Sequence, residues 1–181
     1  MRFRVDSKPA RSLAEAVVLG TISKVEPGKG FVVDAVDSPS GQVVDFADPK
    51  ALWRSFHLIV SVRESLGGIS VPDTVRVGIA FDGASDVKAV EQGLMALGDV
   101  LLFLERSPVF AYDPGLYGIV EDGALLATLD ARGQIRLPAK DADEAASLLT
   151  GGNTLEALRR ASTGQLRTVE VRLDAGVPSR P

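Results

Sequence analysis

Phe56-His-Leu-Ile-Val-Ser-Val-Arg63 is the stretch on which the fold turns. Phe56, Leu58, Val60 and Val62 fall on one side of an extended chain, and His57, Ser61 and Arg63 on the other. That two-residue period is the signature of a strand with one face toward a core. Gly67-Gly68 turns the chain, and Val75, Val77 and Ile79 repeat the alternation in a second strand. Upstream, residues 16–25 are rich in β-formers, with Gly20 marking a bulge or bend and Pro27-Gly28 ending the run. Phe31-Val-Val33 and Gln42-Val-Val-Asp-Phe46 flank Ser38-Pro-Ser-Gly41 and predict a hairpin with a longer loop. Asp48-Pro49 opens a short turn that runs to Trp53.

Downstream, Val87, Val90, Leu94 and Leu97 recur at helical spacing over residues 86–97, with Asp86 as N-cap and Gly98 as stop. Residues 99–105 (DVLLFLE) form an apolar strand covered on both faces. Two short strands follow, around residues 117–120 and 125–129, with Glu121-Asp122-Gly123 as a tight turn between them, and residues 134–137 close the series at Pro138. Ser12 and Glu15 have capping-box spacing and predict one helical turn, as do Asp141 with Glu144 and Asn153 with Glu156 at the heads of helices 141–149 and 154–162. Residues 166–173 are a last strand or an extended tail.

Many short strands with one inserted helix and glycine-marked bends predict a mainly β, α+β fold: a small, partly closed barrel rather than a sandwich. Residues 1–11 are expected to form a flexible arm and 12–138 the barrel. Residues 139–165 would be a helical pair packed on or beside it, and 166–181 a tail. The pieces AVVLGTISKVE, FHLIVSVRESLGG, TVRVGIAFDG, LGDVLLFLE and YGIVEDG, in this order over residues 12–125, resemble an OB-like barrel domain of bacterial, often exported, proteins. The resemblance lies in apolar pattern and turns and implies no activity. The chain departs from it by an insertion around residues 34–52 and by the lack of a signal sequence behind Met1. As written the chain is expected in the cytoplasm, and outside it if Met1 is not the natural start.

Composition narrows function by exclusion. With no cysteine, disulfides, thiolate nucleophiles, Fe–S clusters and cysteine zinc sites are absent. A net charge of −4 offers no field to steer nucleic acid. No apolar run approaches the roughly 20 residues that span a bilayer. Fourteen arginines against six lysines, and a single asparagine, reflect GC-rich coding and hence a bacterial source.

Candidate chemistry is sparse. His57 is the one histidine and reads as an ordinary strand histidine on the polar face, since one histidine supports neither a histidine metal site nor a triad without a distant acid. Asp141, Asp143 and Glu144 read as helix-capping carboxylates rather than a metal site. Pro27-Gly-Lys-Gly30 has Gly-x-Gly but lacks the following helix of a phosphate loop, and Gly151-Gly-Asn-Thr154 reads as helix caps. Phe110 and Tyr112, between Pro108 and Pro114 with Arg106 nearby, form the most notable patch, and Trp53 with Phe56 flanks the inserted loop. For these aromatics, core or rim packing competes with stacking on a base or sugar.

The leading expectation is a non-enzymatic binding or protein-interaction module whose contact rim holds Phe110, Tyr112, Trp53 and Arg106. The partner is an unknown protein or small ligand, and no catalytic residue, metal ligand or cofactor is assigned. Two alternatives stand beside it: an enzyme assembling Asp82, Asp113 and Arg106 from strand ends, and single-stranded nucleic-acid or sugar binding on the barrel face.

Overall fold

The computed structural model describes residues 14–32, 43–119, 126–136, 154–156 and 159. These are mostly β: eight strands join in one partly ring-closed sheet, with one helix. In chain order the elements are β1 (Ala16–Phe31), β2 (Val43–Asp45), β3 (Trp53–Gly68), β4 (Thr74–Asp82), α1 (Val87–Met95), β5 (Asp99–Glu105), β6 (Leu116–Ile119), β7 (Leu126–Leu129) and β8 (Ile135–Arg136), with a 3-10 turn at Pro108–Phe110. The sheet runs β2-β1-β3-β4-β6-β5-β7-β8, and a further pairing of β1 with β5 closes β1-β3-β4-β6-β5 into a ring. Within that ring only β4 and β6 are parallel.

The alternation read from residues 56–62 holds. Phe56, Leu58 and Val60 are buried, as are Val75 and Val77 across the β3–β4 ladder. Val100 to Leu104 of β5 are all fully buried, as expected for a strand covered on both faces. Asp86 caps α1 by accepting the Lys88 and Ala89 amides at 2.9 and 3.1 Å, and Gly98 leaves the helix at φ +67°. Leu94 is buried, with Val87, Val90 and Leu97 packed on the core beside it.

Four expectations are corrected. Pro27-Gly28 does not end the first strand. β1 is 16 residues long and pairs with β3 almost throughout, its register slipping between Val17 and Val18, Leu19 and Gly20, Ile22 and Lys24, and Pro27 and Gly30. The first two slips add a residue to β3 (Leu66 and Arg63) and the last two add one to β1, and each coils the pair, so one chain segment serves β3 along its length, β5 through Ala16–Thr21 and β2 through Lys29–Phe31. The series is therefore not built of short strands alone; β3 also has 16 residues. Gly-Lys-Gly at 28–30 lies inside β1 and is no phosphate loop.

Ala14 and Glu15 are not helical: the Glu15 amide donates to the Leu104 carbonyl at 2.7 Å and its carbonyl accepts from Ile69 at 2.8 Å, so this backbone is already committed to the sheet. Finally, β6 and β7 are not a hairpin pair. Both run antiparallel along the same edge of β5, β6 at Leu104–Glu105 with Ile119 opposite Leu104 and β7 at Val100–Leu102 with Leu126 opposite Leu102, so together they are one interrupted strand. Glu121-Asp122-Gly123 falls outside the described residues, as do residues 1–11, most of the 139–165 pair and the 166–181 tail.

Candidate functional site: a polar chain under the 106–115 segment

Face alternation on β3 sends Phe56 and Leu58 to one side and Ser55 and His57 to the other, yet both polar residues are buried, Ser55 completely and His57 to 8% exposure. Their cover is the chain between β5 and β6. Ser107 caps the 3-10 turn by accepting the Val109 amide, and the turn seats Phe110 and presents Tyr112 and Asp113. Phe110 lies against Gly78, where a Cβ would stand 2.7 Å from its ring, and Ser107 lies on Gly118, where a Cβ would stand 2.6 Å from its own Cβ. Gly78 is the register partner of His57. Two glycines without side chains thus leave the sheet surface low enough for this segment to lie on it.

The donors and acceptors beneath the segment form one directed chain. Arginine only donates, so the 3.3 Å contact from Arg76 Nη2 makes His57 Nδ1 an acceptor and places the imidazole proton on Nε2. Nε2 then donates to the Tyr112 hydroxyl at 2.9 Å, and that hydroxyl donates to Ser55 Oγ at 3.0 Å. Ser55 in turn donates to the Lys29 carbonyl at 3.1 Å and accepts the Lys29 amide at 2.8 Å. These last two bonds replace ladder bonds at the Pro27–Gly30 bulge, where proline lacks an N–H. At the other end Arg76 Nη1 pairs with Asp113 at 2.7 Å, and Asp113 also accepts the Gly115 amide at 3.0 Å. Among the described residues no buried side-chain polar atom lacks a partner. Gly28 makes room for the chain, since a Cβ there would lie 2.4 Å from Ser55 Oγ and 2.6 Å from His57 Nε2.

The electrostatics follow from that geometry. Burial, and then the Arg76 guanidinium, hold the His57 imidazole below its usual range, against the weaker pull of Asp113 and Glu26. Burial pushes the Tyr112 phenol up, which argues against a phenolate nucleophile. Burial also raises the Asp113 carboxyl, but the Gly115 amide and Arg76 outweigh it and hold the group below the ordinary range.

One consequence is measurable. An unfolded imidazole takes up its proton near pH 6.5, whereas the folded one resists, so below that pH the unfolded state binds more protons and stability falls with pH. Urea midpoints are expected to drop between pH 7.5 and 5.5 in the natural protein. In His57→Gln that slope should be absent, and an unchanged slope would show that His57 is not its source.

The residues singled out from sequence are distributed as follows. Phe110 is 6% exposed, and Tyr112 is half-buried with its ring 6.4 Å from that of Phe110, 6.1 Å from that of His57 and 6.1 Å from that of Phe31. Trp53 opens β3 as the register partner of both Phe31 and Asp82. Arg106 lies over the Tyr117 ring at 4.0 Å and donates to the Pro114 carbonyl at 2.7 Å. Asp82 accepts the Ala84 amide at the end of β4, six residues beyond Arg76 or about 20 Å along an extended strand, so it does not meet Asp113.

Sequence reading missed Ser55 and Arg76 altogether. The available signal was Gly78 opposite His57, a gap in an otherwise filled strand face. Among the described residues no group of three or more His, Cys, Asp or Glu side chains is placed to hold a metal ion, and no helix is long and apolar enough to cross a membrane. Asp141, Asp143, Glu144 and Gly151–152 lie outside the described residues. Compared with known proteins, the chain matches no family model, no curated sequence and no solved structure.

Proposed function

We propose that the protein is an OB-like barrel acting as a non-enzymatic protein-interaction module. The ring order supports the OB-like reading: five strands, one parallel pair between the third and the last, and a helix between the third and fourth.

The observation that carries the functional reading is an exposed apolar rim at the β2 end. Phe31 is buried there between two exposed neighbours: Val43, its partner on β2, is 41% exposed, and Leu52, whose amide donates to the Phe31 carbonyl at 2.8 Å, is 56% exposed. Trp53 follows at half burial, and β2 has one neighbour, β1, among the described residues. Apolar side chains presented beside a sheet edge suit contact with another polypeptide. By contrast, the groups beneath the 106–115 segment are consumed by one another, which speaks against the enzyme reading. Phe110 and Tyr112, needed for base or sugar stacking, are engaged with Gly78 and His57.

The test combines two measurements. Leu52→Asp and Val43→Asp should leave the melting temperature within a degree or two, because surface changes cost at most about 0.5 kcal/mol. The same changes should abolish a crosslink that the natural protein forms to a partner through this rim. A panel of nucleotides, sugars, divalent metals and short oligonucleotides should leave the melt unmoved. A concentration-dependent rise with any of them would overturn the reading in favour of a small-ligand site.

A further inference from the structure

We infer that His57, Arg76, Tyr112 and Asp113 form a proton-operated latch that fastens the 106–115 segment over the outer face of β3 and β4 and releases it in mild acid. The inference stands on these contacts alone and does not depend on what the rim binds.

Over the β3–β4 face the segment has two polar fastenings, at consecutive residues, while its first residue is tied separately by Glu15, which accepts the Arg106 amide at 3.2 Å. Tyr112 is held by His57 Nε2 at 2.9 Å and by Ser55 at 3.0 Å, and Asp113 is held by Arg76 Nη1 at 2.7 Å. The two holders are themselves joined, by the 3.3 Å contact of Arg76 Nη2 with His57 Nδ1. That contact exists only while Nδ1 keeps its lone pair. A proton arriving there turns it into a donor facing a donor and a cation facing a cation. Either the guanidinium or the imidazolium must then withdraw. Arg76 leaving draws on Asp113, and His57 leaving abandons Tyr112, so whichever moves, one of the two adjacent fastenings is lost.

The charged and titratable groups around the imidazole set the balance. β4 contributes Arg76. The covering segment contributes Asp113 and the Tyr112 phenol. β1 contributes Glu26, the register partner of His57, whose carboxylate is already held by Lys24 at 2.6 Å. The remaining neighbours, Ser55, Gly28 and Gly78, are uncharged. Asp113 and Glu26 favour the proton while burial and Arg76 oppose it, which places the switch on the acid side of neutrality. Release would leave Phe110 held on Gly78 by apolar contact alone, and would uncover Ser55, His57 and Gly28 between them.

The chain holds one histidine and two tyrosines, Tyr112 and Tyr117, so NMR on ring-labelled protein gives one histidine signal, and the tyrosine signal lost in Tyr112→Phe identifies Tyr112. Tyr117 lies in β6 under Arg106, which Glu15 holds at the root of the segment by accepting its amide at 3.2 Å, apart from His57 and Arg76, and it serves as the internal reference. With a soluble paramagnetic agent, broadening of the Tyr112 ring should rise several-fold between pH 7.5 and 5 in step with the His57 titration, while Tyr117 stays sheltered. In His57→Gln the Tyr112 signal should not change over that range. Three results would overturn the latch: Tyr112 sheltered while His57 protonates, Tyr117 exposed in step with it, or the same transition in His57→Gln. Should that variant not fold, the contrast between the two tyrosines in the natural protein decides.

Discussion

Phe103→Ala is expected to lower the unfolding free energy by about 3–5 kcal/mol, a large part of the roughly 5–15 kcal/mol that holds an ordinary domain together. Phe103 is fully buried in the middle of β5, opposite Val17 on β1, at the pairing that closes the ring. Its other edge faces the break between β6 and β7, whose residues Ile119 and Leu126 pair with its neighbours Leu104 and Leu102. A truncated side chain therefore leaves a void at a point where the strands on either side are pinned and cannot close in. Urea unfolding measures the loss. A cost under about 1 kcal/mol would mean the site collapses freely, which a closed ring does not allow.

The second large effect concerns Phe110 and Gly78. Gly78→Ala places a methyl 2.7–2.8 Å from three atoms of the Phe110 ring. Overpacking of that kind costs about 1–3 kcal/mol. Phe110→Ala removes a buried ring and is expected to cost about 3 kcal/mol. The double variant should be more stable than the sum of the two predicts, by about 1 kcal/mol or more, because alanine at 110 leaves room for the added methyl. Strict additivity would show that Phe110 does not rest on Gly78. A nearly neutral Phe110→Ala would favour the aromatic as an outward stacking surface.

These predictions mark how far the linear chain could be read. The β3–β4 alternation, α1 with its Asp86 cap, and the apolar β5 were legible because each is a local pattern: a two-residue or 3.6-residue period with its stop signals nearby. Pro27-Gly28 was misread for a physical reason. Locally those residues forbid a regular ladder, and what lets the strand continue is Ser55, 26 residues away, whose hydroxyl supplies the missing bonds to Lys29. The pairing of the two short strands after β5 was misread in the same way. Turn chemistry says where a chain bends, but pairing is decided by which edge is free, and the long edge of β5 takes both β6 and β7.

The candidate site divides along the same line. The sequence by itself determined that no thiol chemistry and no histidine-cluster metal site is available, and that Phe110, Tyr112 and Asp113 lie between two strands beside Arg106. It also placed His57 on the strand face away from Phe56. Only the tertiary structure decided that this face would be covered, that Arg76 would fix the imidazole proton on Nε2, and that Ser55 would end the chain. The reason is that hydrogen-bond direction and burial are properties of the whole constellation. Arg76, His57, Tyr112 and Ser55 come from three separate elements, and none carries a local signal of its partners. They meet because coiled β1, β3 and β4 leave glycines at 28 and 78 where the covering segment comes down.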